Sequence, residues 1–376
     1  MYLTYRWTVF LLLLAVSGCS GTPDCTTDTA PVIQTNNEVV TALADELQRE
    51  HKAGTFAGQV LLAQNNSAVF KAAYGCADRQ HRVSNSVTTV SDMGSIAKTF
   101  TAAAVLQLVA NQRLQLSTRV GDLYPEAADA LKPVTIEQLL GHSGGLDNFH
   151  NDSDFELMDK TEAERRILSM PLIAAPGEKI AYSNAAYTLL AAIVEKTTGQ
   201  SFQEYVQQHL LSPLKLADTG FYQDSIIPVS KLARGYGGDD QGKTTYQKGL
   251  TWALIGAGGM VTSVDDLASW FAALKDGTLF PDSAPNLTFT QANEKWLLGS
   301  FSQLDIQGES VIQMGGSTDF GYTALIQFIP GRDVLVVLLL NAHNTKYANA
   351  THHRLSRNHI LPILQSENQT DKLSDQ

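Results

Sequence analysis

Runs of basic residues are missing from this chain. Of its 376 residues, 27 are lysine or arginine against 38 aspartate or glutamate, for a formal net charge of −11. No Lys/Arg-rich stretch occurs, which argues against a nucleic-acid partner. Cysteine is scarce as well, with only Cys19, Cys25 and Cys76. No Cys/His cluster has the spacing of a metal site, so no metal is expected. No apolar run reaches the roughly 20 residues that span a bilayer. Internal repeats are absent, and low complexity is confined to one short polar stretch near the N-terminus.

What is present is a chain with 44% hydrophobic residues, long enough for one large or two intimate domains with a substantial core. The apolar run Val9–Val16 has the length of a signal-peptide core, so residues 1–18 are expected to be a signal peptide. The run ends Val16-Ser17-Gly18-Cys19. Small residues before a cysteine resemble the lipobox of bacterial lipoproteins, which makes Cys19 a candidate lipidation site. The competing reading is an ordinary signal peptide with Cys19 incidental. With Ser20 rather than aspartate next, sorting by resemblance favours the outer membrane. Residues 19–37, rich in Thr, Asp and Pro, read as a tether. Cys25 and Cys76 either form a bridge that pins this tether or remain free thiols, and sequence does not decide between them.

The body is expected over 38–365. Apolar residues at Val39, Val40, Leu43 and Leu47 have helical periodicity. Two strand-like runs follow, Gly58–Ala63 and Ala68–Tyr74, with Asn65-Asn66 as the turn. The C-terminal end mirrors this, with strands at Tyr322–Ile329 and Val334–Leu340 around Pro330–Asp333, then a helix to about Leu364. The middle is helical by pattern. The expected architecture is therefore α/β (α+β): an antiparallel sheet built from both chain ends and flanked by helices (about 38–98 and 277–365), with an all-helical region (about 99–276) inserted. The tail 366–376 is polar.

Two serines compete as nucleophile. Gly141-His142-Ser143-Gly144-Gly145 matches the G-x-S-x-G elbow, which needs a strand entering and a helix leaving. The flanks are reversed: Thr135 and Gln138 form a capping-box pattern for a short helix before Gly141, and a polar loop follows. Ser143 therefore reads as structural. The better candidate is Ser95 in Ser95-Ile96-Ala97-Lys98. On a helix, i and i+3 share a face, so the Lys98 amine reaches the Ser95 hydroxyl. Burial disfavours a charged lysine, and a neutral amine accepts the serine proton. After Lys98 comes a nearly uncharged segment to Val109, a helix apolar all round and hence buried. Ser95 at its start has the positive end of the helix at its backbone N–H. Ser212–Lys215 also fits S-x-x-K, but Ser212 before Pro213 reads as an N-cap. Tyr182-Ser183-Asn184 precedes another buried helix, so the Tyr182 phenol is placed to relay a proton and Asn184 to hold a substrate amide. Tyr347-Ala-Asn349 repeats this spacing without such a context.

Together these residues resemble the serine β-lactamase and penicillin-binding-protein-like hydrolases, in their class C-type branch. The resemblance covers Glu38 to Leu364. It is carried by Gly94–Thr101, Leu139–Leu146, Pro176–Asn184, and Gly256–Ser263 with Asp266-Leu267, and by the 87 residues that separate Ser95 from Tyr182. It implies a β-lactamase/transpeptidase-like fold with the site between sheet and helical parts. It also implies an acyl-enzyme on Ser95, with Lys98 and Tyr182 managing protons and no cofactor.

One motif departs from the family. A Lys-Thr-Gly or His-x-Gly usually edges the site, followed by Gly-Phe or Gly-Tyr. Anchored on Gly321-Tyr322, the Lys/His position falls on Gly315 and the family glycine on Ser317. The second oxyanion donor then falls on the N–H of Thr318. No cation is supplied for a substrate carboxylate. His343 after the last strand is a substitute for that cation or a surface histidine. The expected activity is therefore hydrolysis of small-molecule or peptide-like esters or amides, with esterase-like substrates favoured. A peptidoglycan-directed D,D-peptidase or β-lactamase beside the cell wall is the alternative. A catalytically silent binding lipoprotein, held to the membrane by its lipid, is the third.

Overall fold

The computed structural model describes residues 25, 29–33, 38–151, 153, 155–224, 227–237, 244, 247, 249–306, 308–343 and 351–366. The signal peptide, Cys19, most of the tether, Tyr347, Asn349 and residues 367–376 lie outside them.

Twelve strands occur among the described residues. They are β1 (Thr29–Ile33), β2 (Phe56–Gln64), β3 (Ser67–Tyr74), β4 (Cys76–Asp78), β5 (Val83–Ser84), β6 (Ser91–Asp92), β7 (Gly220–Phe221), β8 (Met260–Thr262), β9 (Ser302–Ile306), β10 (Glu309–Ser317), β11 (Thr323–Ile329) and β12 (Val334–His343). The main sheet is antiparallel, in the order β1-β3-β2-β12-β11-β10-β9, so strands from both chain ends meet where β2 pairs with β12. The expected β-lactamase/transpeptidase-like α/β architecture is thus observed.

The helices are α1 (Glu38–Lys52), α2 (Ala97–Ala110), α3 (Val120–Leu123), α4 (Ile136–Leu140), α5 (Lys160–Ser169), α6 (Asn184–Thr198), α7 (Phe202–Val206), α8 (Ser212–Leu214), α9 (Val264–Asp276) and α10 (Thr351–Leu355). Val336, Leu338 and Leu340 of β12 pack with Leu43 and Leu47 of α1 and with Leu355, while Leu335, Val337 and Leu339 pack on the α2 and α9 side. Both faces are covered, which is why β12 reads as an unbroken apolar run rather than an alternating one.

Three local features differ from expectation. Part of the tether is structured, since Thr29–Ile33 forms the edge strand against β3; of the two readings left open for Cys25 and Cys76, the bridge is the one observed. The inserted region is not wholly helical, because β7 and β8 join β6 in a small three-stranded sheet. Ser212 does not cap a new helix: it is the first residue of α8 inside a continuing rod, with Leu211 before it in helical conformation. The rod continues from α7 through a widened turn at Gln207–Leu211 into α8, and the Ser212 hydroxyl accepts from Gln207 Nε2 at 3.1 Å. Pro213 has no N–H to contribute, so it is tolerated where the ladder widens.

Candidate active site

Ser95 and Lys98 are set by one buried helix. A short 3-10 turn, Gly94–Ile96, leads into α2, whose residues Ala97 to Leu108 are all buried. Asp92, itself buried, fixes the turn: Oδ1 accepts from the Gly94 N–H at 2.8 Å and Oδ2 from the Tyr222 hydroxyl at 2.5 Å. The helix is locked to α9 by Trp270, whose Nε1 donates to Thr99 Oγ1 at 2.9 Å and whose ring stacks on Phe100 at 3.9 Å.

Lys98 is fully buried. Its Nζ donates to Ser95 Oγ at 3.1 Å and to the Ala257 carbonyl at 2.7 Å, and lies 4.8 Å from the centre of the Tyr182 ring. The glycine-rich turn around Gly256 has a definite task here. Its carbonyls receive Lys98 at Ala257, Thr101 Oγ1 at Gly256 (2.7 Å) and Thr188 Oγ1 of α6 at Ile255 (2.9 Å). Gly256 has φ +84° and a Cβ there would lie 2.4 Å from the Tyr187 carbonyl, so no other residue fits.

Tyr182 and Asn184 arrive on the N-terminal turn of α6, which Ser183 caps by accepting from the Ala186 N–H at 3.1 Å. The Gly141–Leu146 stretch holds that turn in place. His142, in the left-handed region at φ 56°, accepts the Ala181 N–H on its carbonyl (2.8 Å) and the Ser183 N–H on Nδ1 (3.1 Å). Its ring stacks on Tyr182 with centroids 4.6 Å apart. Because Nδ1 accepts, the neutral ring carries its proton on Nε2. Burial first, then Lys98 and Lys295, hold the imidazole well below its ordinary pKa. Ser143 is buried, its carbonyl accepts from the Gly177 N–H at 2.7 Å, and it is a turn residue as expected.

The register at β10 is corrected. The Thr318 N–H is already used, donating to the Tyr322 carbonyl at 3.0 Å. Thr318 and Tyr322 face each other across the β10–β11 ladder, so alternation turns the Ser317 N–H the other way, toward the open edge. A Cβ on Gly94 would meet Ser317 N at 2.7 Å, which places that amide beside the Ser95 turn. A Cβ on Gly316 would meet the Met93 carbonyl at 2.1 Å and Ser95 N at 2.9 Å. Gly316, not Ser317, therefore occupies the position that must be glycine. Counting back two, the Lys/His position is Met314, buried and apolar, and not Gly315. Gly315 faces elsewhere: its Cβ would lie 2.8 Å from His352 Nε2. His343 ends β12 opposite Phe56 of β2, two strands from β10. Among the described residues, the imidazoles beside β10 are His352 and His353.

Two cavities meet at Ser95. One, of about 150 Å³, is walled by Asn184, Phe155, Tyr222, Ser317, Thr318 and Asp319. The other, of about 300 Å³, is walled by Tyr182, Trp296, Gln313, Met314, His352 and His353 among others. The structure thus brings Ser95, Lys98, Tyr182, Asn184 and Ser317 to one cleft. His142, Trp296, His352 and His353 escaped the sequence reading. His142 lay in plain view inside the rejected elbow pattern. The other three come from distant segments with no motif of their own.

Comparison with known proteins follows the same line. The family model described as Beta-lactamase matches residues 40–358. Protein flp of Staphylococcus aureus (strain MW2) is 28% identical over 328 residues, covering 82% of this chain and 64% of that protein. Teichoic acid D-alanine hydrolase of Staphylococcus aureus is 25% identical over 236 residues, covering 62% of this chain and 58% of that protein. The chain therefore spans less than two thirds of the length of these curated relatives. Among solved structures, D-amino acid amidase from Ochrobactrum anthropi SV3 superposes with a TM-score of 0.74 at 18% identity, over 88% of this chain and all of that one, a likeness of fold.

Proposed function

Because the chain belongs to the Beta-lactamase family, we propose that it is a serine hydrolase that forms an acyl-enzyme on Ser95 from ester or amide substrates that need not carry a carboxylate. The observation that carries this is the 3.1 Å bond between Lys98 Nζ and Ser95 Oγ at the head of a buried helix. In its neutral form the Lys98 amine takes the serine proton as Oγ attacks the carbonyl. The oxyanion is received by the N–H groups of Ser95 and Ser317. Tyr182 passes a proton to the leaving atom, and water then releases the acyl group.

The smaller cavity, with Asn184 and Asp319 on its wall, suits a small acyl group. The names of the relatives place D-alanyl esters and D-amino acid amides among the substrates to try. Met314 supplies no charge for a carboxylate, which weighs against a penicillin-type substrate. A silent binding protein has no need of Ser95, Lys98, Tyr182 and Asn184 in one cleft. Export and a lipid anchor at Cys19, on the periplasmic side of a bacterial outer membrane, remain part of the proposal. They are supported by the Val9–Val16 run and the small residues before Cys19. Loss of palmitate labelling in Cys19→Ser tests that part.

The hydrolase reading is tested with a fluorophosphonate probe and p-nitrophenyl esters. Ser95→Ala should lose labelling and at least about a thousandfold of turnover, while Ser143→Ala keeps both. Labelling that persists in Ser95→Ala sinks it.

A further inference from the structure

The larger cavity on Ser95 has a composition unlike the rest of this acidic chain. No carboxylate, lysine or arginine is among its walls; its polar groups are hydroxyls, the Gln313 amide, the Trp296 indole and two imidazoles. Three of those groups hold buried atoms with no hydrogen-bond partner among the described residues: Trp296 Nε1, His352 Nδ1 and His353 Nδ1. Those three atoms have almost no surface of their own, so the ring nitrogens within reach of a molecule in the cavity are the Nε2 atoms of His352 and His353. The two histidine rings lie 4.2 Å apart. The Nε2 atoms of both converge on Gly315, 2.8 and 3.4 Å from where its Cβ would stand, so the glycine makes room for them.

Direction within the site follows from Tyr182. It walls this cavity and not the smaller one. A group that protonates the departing atom has to stand on the side where that atom leaves. The larger cavity therefore takes the leaving group, and the smaller one the acyl group.

Resting on the Ser95 hydrolase reading, the geometry points to a leaving group that is an uncharged polyhydroxy alcohol, recognised by His352, His353 and Trp296. Hydroxyls both donate and accept, as neutral imidazoles do, and the apolar surface of an indole suits the carbon skeleton of a polyol. In the reaction, Ser95 Oγ bonds to the acyl carbon and the bond from that carbon to the alcohol oxygen breaks. The alcohol leaves with the proton from Tyr182, which Lys98 replaces with the one it took from Ser95. Water then splits the acyl-enzyme, giving a carboxylic acid and restoring the serine hydroxyl. His352 and His353 touch only the leaving group, so they set specificity. Burial first, then His353 and Arg357, hold the His352 pKa down at about 3, which keeps it uncharged and unsuited to a carboxylate.

The test compares three acetate esters on the full chain: monoacetylglycerol, 2-methoxyethyl acetate, which lacks the hydroxyls, and the acetate ester of glycolate, which carries a carboxylate. The proposal expects kcat/KM to favour monoacetylglycerol by about tenfold or more over each of the others, as one or two hydrogen bonds would give. His352→Ala and His353→Ala should each erase most of that preference while the rate of fluorophosphonate labelling at Ser95 stays within about threefold of wild type. Gly315→Ala, which keeps both imidazoles but pushes His352 away, should do the same and guards against a folding defect in the histidine variants. A wild type with no preference, or a preference that survives all three substitutions, overturns the assignment while labelling still upholds the hydrolase. Absence of labelling on wild type overturns the hydrolase reading itself.

Discussion

The imidazole of His142 lies stacked on the phenol of Tyr182, ring centroids 4.6 Å apart and tilted by 30°. The same histidine takes the amide protons of Ala181 and Ser183, on either side of that tyrosine. A pattern that resembles a nucleophile elbow is in fact a clamp on the turn that carries Tyr182. His142→Phe keeps the stack but leaves the Ser183 N–H buried without an acceptor, which costs about 1–3 kcal/mol. The expected result is a fall in kcat of about tenfold or more with KM for p-nitrophenyl acetate little changed. His142→Asn tolerates the left-handed backbone and keeps a side-chain acceptor, so it should recover part of kcat. Equal kcat in both variants would show that the amide contact does not position Tyr182.

Much of this was legible in the sequence because the signals were local. The Ser95–Lys98 spacing, the Thr135/Gln138 cap and the apolar runs of β2, β11 and β12 depend on neighbours within one element. The fold class followed from strands at both ends of the chain. Register at β10 was not local. Gly321-Tyr322 gave an anchor one residue out, because the turn from Thr318 to Tyr322 closes its own hydrogen bond. Only the collision of a Gly316 Cβ with the Met93 carbonyl shows which glycine is obligatory. His352 and His353 carried no signal at all, since their place beside Ser95 depends on the space left by Gly315.

Acid should destabilise the protein through its buried histidines. His352 has its pKa lowered to about 3, against about 6.5 in an unfolded chain, and His142 is lowered as well. Between those values the unfolded chain binds protons that the folded one refuses. The stabilisation from each depressed histidine is complete above about pH 6.5 and is lost as pH falls, at about 1.4 kcal/mol per pH unit per group. The melting temperature of wild type should therefore drop more steeply between pH 6.5 and 4 than that of His352→Gln, which has no proton to gain. Parallel curves would show that His352 is not held neutral.

The Cys25–Cys76 disulfide ties the segment before β1 to β4 across 51 residues. Closing a loop of that length lowers the entropy of the unfolded chain by an amount equivalent to about 4 kcal/mol. The double variant Cys25→Ser/Cys76→Ser should melt several degrees lower than wild type. Reductant should lower the wild type alike and leave the variant untouched. Esterase turnover below the melting range should be unchanged, since neither cysteine walls a cavity at Ser95.

The register at β10 makes its own prediction about substrate charge. If Met314 stands where the family carries lysine or histidine, then Met314→Lys brings an ammonium to the wall of the cavity that Ser95 and Tyr182 share. A charge-assisted hydrogen bond to a penicillin carboxylate is worth about 1.5–3 kcal/mol. Acylation of Met314→Lys by a fluorescent penicillin should therefore rise by about tenfold or more over wild type. Met314 is buried, so the lysine will lower the melting temperature, and labelling is to be compared well below it. Gly315→Lys should give no such gain, because its side chain would run into His352. The reverse outcome, penicillin acylation raised by Gly315→Lys and not by Met314→Lys, would restore the register anchored on Gly321-Tyr322 and return the second oxyanion donor to Thr318.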